Sequence, residues 1–211
     1  MKRGLFIAFE GIDGCGKSTQ ARKLAKHILE LNKYNHILIT REPFRDTKIR
    51  KILREDDNPY SQAYELAKLY TEDRKKHVKE MIIPNLKIGN HVICDRYSFS
   101  TLSYQQAQGI DVVDLLNMHK GLPIADVIFI LDVSENTAMK RMKKDKKRMT
   151  EQKFEKDKNF IKKLRHNYLE LAENLEGHNV IVVDGTKSIN HIFEKQIKPA
   201  FDKLYKKYIS S

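Results

Sequence analysis

Between residues 11 and 18 the chain reads Gly-Ile-Asp-Gly-Cys-Gly-Lys-Ser, a set of residue types whose order suits phosphate chemistry. Gly11 and Gly16, with Asp13, Gly14 and Cys15 between them, let the backbone turn tightly and bring its N–H groups against phosphate oxygens. Lys17 would then reach the β- and γ-phosphates of a nucleoside triphosphate, and the Ser18 hydroxyl would ligate Mg2+. The stretch beginning at Thr19 reads as a helix, whose positive end favours an anion. Before the loop, Leu5 to Phe9 is an apolar run of strand character, so the order is strand, glycine loop, helix, the context that a phosphate loop requires.

Two further groups of cations bear on what such a loop would serve. Arg96 follows an apolar run, His91 to Cys94, which puts it at the carboxyl end of a strand, where α/β sheets bind ligands. From Lys140 to Arg148 seven of nine residues are basic, a segment suited to cover a site and exclude water during phosphoryl transfer. A GTP-hydrolysing switch is disfavoured. Its guanine reader would be an Asn-Lys-x-Asp after a late strand, whereas Asn32-Lys33-Tyr34-Asn35 is early and ends in the wrong residue. A kinase for a small acceptor fits better.

The elements that would hold these groups follow from apolar periodicity. Strands are predicted at 5–9, 36–40, 91–94, 126–132 and 179–183, alternating with helices, which describes an α/β, P-loop NTPase-type doubly wound sheet of five parallel strands flanked by helices, with a basic lid at about 140–153. Ser61 is expected to cap a helix running to about Lys79, with Tyr70 and Arg74 on one face. Pro199 is expected to kink the last helix. A single domain over 1–211 is the default for 211 residues. The net charge of +12 argues for a polyanionic partner or for solvated lysine faces. That charge allows a basic nucleic-acid-binding P-loop protein as the rival from another class, but aromatic residues are not interleaved with the basic segment as a strand-binding platform would want. No apolar run approaches a membrane span, no signal peptide is evident, and two cysteines, Cys15 and Cys94, suit a reducing cytosol; a cytoplasmic protein without a membrane partner is expected.

Taken together, the phosphate loop, Thr40-Arg41-Glu42-Pro43, Tyr70-x-x-x-Arg74, Asp95-Arg96-Tyr97-x-x-Ser100-x-x-Ser103-Tyr104-Gln105 and Arg165-x-x-Tyr168-Leu169-Glu170-Leu171-Ala172 resemble the thymidylate kinases. The resemblance runs from Leu5 to Asp184 and implies transfer of phosphate from ATP to dTMP with Mg2+, in a homodimer. A kinase for another nucleoside monophosphate is the alternative within enzymes.

The resemblance also implies roles. The aromatic at Tyr70 would stack on thymine and Arg74 would hydrogen-bond the base oxygen, although Tyr70 also reads as a core aromatic. Ser100, Thr101, Tyr104 and Gln105 would meet base and deoxyribose, with Tyr104 crowding a ribose 2′-hydroxyl. Asp13 would hold the sugar 3′-hydroxyl or else stabilise its own loop. Asp95 would orient Mg2+ through water, and Arg96 would bridge the donor and acceptor phosphates. Arg45 would bind the acceptor phosphate, with Arg41 as the alternative. Because the loop carries Gly14 where some relatives place a cation, the lid would supply the catalytic one, from Arg141 or Arg148, whose planar forks match phosphate oxygens.

Overall fold

In this computed structural model, residues 2–144, 153–154 and 157–210 are described. Strand β1 (Phe6–Glu10) is buried along its whole length because it has a neighbour on both edges. The chain then alternates: helix α1 (Lys17–Leu31), β2 (Ile37–Arg41), α2 (Thr47–Glu55), α3 (Ala63–His77), a π-helical stretch (Val78–Ile82), α4 (Ile83–Lys87), β3 (His91–Asp95), α5 (Ser98–Ala107) and α6 (Val112–Met118). It continues through β4 (Val127–Asp132), α7 (Glu135–Lys144), α8 (Lys158–Asn174), β5 (Val180–Asp184), α9 (Ile189–Ile192), a second π-helical stretch (Phe193–Ile197) and α10 (Lys198–Ser210). All five strands are parallel, as the alternation predicts, and their order is β2-β3-β1-β4-β5.

That order reverses direction at β1: the chain leaves it toward β2 and β3 on one side and later toward β4 and β5 on the other. The crevice beyond the carboxyl ends of β1 and β3 is therefore where loops diverge and a ligand can enter. The parallel register brings Arg41 opposite Asp95, and Asp95 opposite Phe9, so the functional ends of three strands are level. Phe6, Ile7, Phe9, Val92, Ile93 and Phe129 fill the core, each worth about 1.5–3 kcal/mol for leaving water. Helix α1 packs on β1, β2 and β3, while α5 packs against α8, which also covers β4 and β5.

The start of α3 differs from expectation. Helix α3 begins at Ala63, because Ser61 gives its hydroxyl to Asp56 rather than capping, and Gln62 sits in the left-handed region at φ 55°. Helix α8 starts at Lys158, where the Asp157 carboxylate accepts from the N–H groups of Asn159 and Phe160. At Pro199, expected to kink the last helix, a π-helical stretch lies just upstream of the ring. Both π-helical stretches lie just before a proline, Pro84 and Pro199, and in each the closing N–H, of Ile83 and Lys198, reaches back five residues to the carbonyls of Val78 and Phe193. A widened turn relieves the clash that a proline ring makes with the preceding turn, so the irregularity is placed upstream of the ring. Of the lid segment, Lys140–Lys144 is the end of α7, and Arg148 lies outside the described residues. Among the described residues no helix is long and apolar enough to cross a membrane.

Candidate active site

The phosphate loop leaves β1 at Gly11, whose φ of +127° is open to glycine and whose added Cβ would meet the Leu131 carbonyl oxygen at 2.7 Å. Gly14, at φ +78°, is as constrained: a Cβ there would stand 2.6 Å from the Ala138 carbonyl oxygen on α7. The loop thus takes its shape by touching backbone on both sides. The Lys17 ammonium, at the start of α1, is buried and donates to the carbonyls of Gly11 at 3.0 Å and Ile12 at 2.9 Å. From α7, Arg141 donates to the Cys15 carbonyl at 3.2 Å and to the Gly185 carbonyl at 2.9 Å, joining the loop to the end of β5. A cleft of about 1030 Å³ lies over these groups, lined by the loop from Asp13 through Thr19 together with Arg41, Asp95, Arg141 and residues 187–189.

The Ser18 hydroxyl donates to Oδ2 of Asp95, while Oδ1 of Asp95 is buried and has no hydrogen-bond partner among the described residues. A hydroxyl beside a carboxylate with a spare oxygen is a hard-donor set of the kind that Mg2+ takes, completed by water and phosphate. These two residues fit the ion.

A second cavity, about 90 Å³, opens beside the first and shares Asp13 and Arg41 with it. Its lining also includes Tyr70, Arg96, Ser100, Thr101, Tyr104 and Gln105. Here the expected substrate residues are brought together. Arg96 is buried, with its backbone in the left-handed region at φ 74° and its N–H bonded to the Phe9 carbonyl at 2.9 Å. Such a conformation costs about 1–3 kcal/mol in a non-glycine residue and persists where the surroundings enforce it. The Arg96 guanidinium donates to Asp13 Oδ1 at 2.8 Å, to Ser100 Oγ at 3.1 Å and to the Tyr104 hydroxyl at 3.2 Å; that hydroxyl donates to Asp13 Oδ2 at 3.1 Å. Burial by itself would lower the Arg96 pKa, but the Asp13 carboxylate, together with Tyr104, Tyr168 and Asp95, outweighs that and holds it well above the usual arginine value. It remains a cation throughout.

Glu10, at the end of β1, is a residue that sequence reasoning missed. Its buried carboxylate accepts from the N–H groups of Tyr97 at 2.7 Å and Ser100 at 3.2 Å and from the Ser100 hydroxyl at 2.6 Å, so it fixes the first turn of α5. An anion suits that position. Burial raises its pKa, against the opposing pull of the Ser100 hydroxyl and the Arg96 charge.

Two expected residues stand elsewhere. Arg45 does not line either cavity; its side chain is 71% exposed and pairs with Glu80 at 3.3 Å, while Arg41, the alternative, lines both. The reason lies in Asp73, whose carboxylate accepts from the N–H groups of Phe44, Arg45 and Asp46 and turns the chain away after Pro43. Arg74 is 1% exposed and is spent inside the protein rather than on the cavity. It donates to Glu42 at 2.7 Å, to the Tyr97 carbonyl at 2.9 Å, to Thr101 Oγ1 at 3.0 Å and to His119 Nε2. His119 Nδ1 bonds the Leu115 carbonyl at 2.6 Å, so that nitrogen carries the proton and the ring is neutral. Burial, together with the Arg74 charge, pushes the His119 pKa down to about 3. Glu42 also pairs with His77 at 3.0 Å, and His77 with Thr40 at 2.8 Å. Cys94 lies close enough to Glu42 and His77 to complete a metal-type trio, but Glu42 and His77 are already engaged by hydrogen bonds within the protein.

A parallel five-stranded sheet, a phosphate loop after its central strand and a small cavity abutting the loop's cleft define the class of kinases that phosphorylate small molecules from a nucleoside triphosphate. The thymidylate kinase family model matches residues 9–196. The chain is 40% identical over 179 residues to a probable thymidylate kinase of Pyrococcus horikoshii, covering 81% of this chain and 84% of that protein. It is 34% identical over 201 residues to a thymidylate kinase of Wolbachia pipientis, covering 92% and 94% respectively. A crystal structure of a thymidylate kinase from Ehrlichia chaffeensis superposes with a TM-score of 0.69 at 27% identity, covering 94% of this chain and 99% of that one. The chain belongs to the thymidylate kinase family.

Proposed function

We infer that the two joined cavities hold the two nucleotides of the family's reaction, in which ATP phosphorylates dTMP to dTDP. The observation that carries this reading is the junction itself: Asp13 and Arg41 line both cavities, and Arg96, salt-bridged to Asp13, lines the smaller. The triphosphate end of ATP would lie along the loop under Lys17, with Arg141 at its side. The acceptor phosphate would face Arg41 and Arg96, and its sugar would face Asp13 and Tyr104. Tyr70 would stack on the base, with Thr101 and Gln105 at its edge. Ser18 and Asp95 would hold Mg2+, which supplies charge neutralisation at the phosphates.

No general base is needed in this arrangement. The acceptor is a phosphate already ionised at neutral pH, so positioning and charge neutralisation carry the transfer. Arg96, fixed by Asp13, Ser100 and Tyr104, costs no reorganisation when charge spreads over the moving phosphoryl group. Arg141, or Arg148 of the lid segment, would supply a further cation for that charge. Tyr104, braced from two sides, would leave little room for a 2′-hydroxyl. We further propose a cytoplasmic homodimer.

The test is ADP release with ATP and Mg2+ against a panel of monophosphates. dTMP is expected to be turned over best, dUMP next and UMP poorly; equal turnover of UMP would remove Tyr104 from the sugar site.

A further inference from the structure

Lys153 lies between α7 and α8 and belongs to neither cavity, yet its side chain is wholly buried. Its ammonium donates to Asp56 Oδ2 at 2.6 Å, to Ser61 Oγ at 2.6 Å and to the Asn58 carbonyl, and its backbone N–H donates to the Leu53 carbonyl at 3.2 Å. All four partners lie on the end of α2 and the turn that follows it. A buried ammonium is costly unless its donors are used, and here all three are.

Two walls of the smaller cavity depend on that turn. The first is Phe154, the next residue, which lines the cavity, stacks on Phe160 with centroids 5.1 Å apart and meets the Tyr104 ring edge-on at 5.1 Å. The second is Gln105. The carbonyls of Pro59 and Ser61, on the turn, accept from Gln108 Nε2 at 2.8 and 2.9 Å, which leaves Gln108 Oε1 to accept from Gln105 Nε2 at 3.0 Å. The amide of Gln105 is thereby oriented, with its Oε1 buried and without a partner among the described residues. That oxygen accepts only, so it suits a ring N–H of the kind a keto pyrimidine carries and an unprotonated cytosine lacks.

We propose that Lys153 is a positioning residue for the acceptor nucleotide, fastening the 56–61 turn so that Phe154 backs Tyr104 and the Gln108–Gln105 pair keeps its polarity. This rests on reading the smaller cavity as the acceptor site. Asp56 is the counter-charge: burial raises its pKa, but the hydrogen bonds from Lys153, Ser61, Asn58 and Gln62 together outweigh that and hold it well below the usual carboxylate range. The aspartate is thus charged at neutral pH, and its hydrogen bond from Lys153 persists.

The experiment is calorimetric titration of the full chain with dTMP and, separately, with ATP, together with steady-state kinetics, for wild type, Lys153→Met and Asp56→Asn. Lys153→Met is expected to weaken dTMP binding and raise its KM by about tenfold or more while the ATP KM stays within about twofold. A loss of packing alone would lower the active fraction and leave both KM values in place. That result, or an unchanged dTMP affinity, would overturn the proposal. Should Lys153→Met fail to fold, Asp56→Asn keeps the shape and removes the counter-charge of the tether; a rise of about threefold in the dTMP KM is then expected, and no rise refutes the role. A wild-type chain that binds no dTMP would bring down the cavity assignment and this proposal with it, whereas wild type and Lys153→Met binding dTMP equally well would bring down the proposal alone.

Discussion

The Arg96 guanidinium and the Asp13 carboxylate meet at 2.8 Å, and the Tyr104 hydroxyl closes the triangle on the carboxylate's other oxygen at 3.1 Å. Cation, anion and phenol hold one another at the boundary of the two cavities. Arg96→Met should lower kcat by about 10³-fold, within the range that a phosphate-facing arginine supplies in phosphoryl transfer. Asp13→Asn, which keeps a hydrogen-bond acceptor, should lower it by about tenfold. Coupled ADP-release kinetics measure both, and an Arg96→Met enzyme with unimpaired kcat would take the arginine out of the chemistry.

Arg41 and Arg45 are separated by the same kind of measurement. Arg41→Gln should raise the dTMP KM by about tenfold through loss of a charged hydrogen bond to phosphate. Arg45→Gln removes an exposed pair with Glu80, worth about 0–1 kcal/mol, and should leave the KM within about twofold. The reverse outcome would return the phosphate to Arg45.

Arg74 should act on stability more than on substrate. Removing it leaves the buried Glu42 carboxyl without its guanidinium partner, and breaking such a buried pair costs about 3–5 kcal/mol. Urea unfolding of Arg74→Met is expected to show that loss in the midpoint. If the midpoint held and only the dTMP KM rose, a direct contact with the base would be the better account.

His119 gives the fold an acid-side dependence. Its ordinary pKa of 6.5 falls to about 3 when folded, so between those values the unfolded chain binds the extra proton and the folded one does not. Stability therefore rises with pH through that window and is lost as pH falls from about 6.5 toward 3, by at most about 1.4 kcal/mol per pH unit. His119→Gln should flatten this part of the profile, which thermal unfolding from pH 7 to pH 4 would reveal. A slope identical to wild type would mean that other groups govern acid sensitivity.

Gly14→Ala should impair the donor side alone. Its Cβ would press on the Ala138 carbonyl from a left-handed backbone, so loop or α7 must move. The ATP KM is expected to rise by about tenfold with the dTMP affinity unchanged, as judged by separate titrations. Normal ATP affinity would show that α7 gives way without consequence.

Much of this was legible in the sequence, and the parts that were not share a cause. The strands announce themselves as apolar runs, and the phosphate loop depends on contacts within a few residues. Glu10 and Glu42 carry no such local signal. Glu10 is paired to Tyr97 across 87 positions and Glu42 to Arg74 across 32, and a buried acid in an apolar stretch looks the same before its partner is known. The same holds for Arg74, where spacing fixed the face of the helix correctly but could not say whether that face met a cavity or another side chain. Arg45 was displaced by Asp73, 28 positions away. Ser61, next to a helix start, satisfies every local rule for a cap, yet Asp56 and Lys153 compete for its hydroxyl and win.

Because Arg41, Asp95 and the end of β1 stand shoulder to shoulder through the ladder of a parallel sheet, their alignment is a property of strand length and not of the loops that follow. Lengthening a connection should be tolerated, whereas inserting one residue within β2 or β3 would rotate its terminal side chain to the opposite side of the layer. For anyone reshaping this enzyme, the connections are the editable parts and the strands are the ruler.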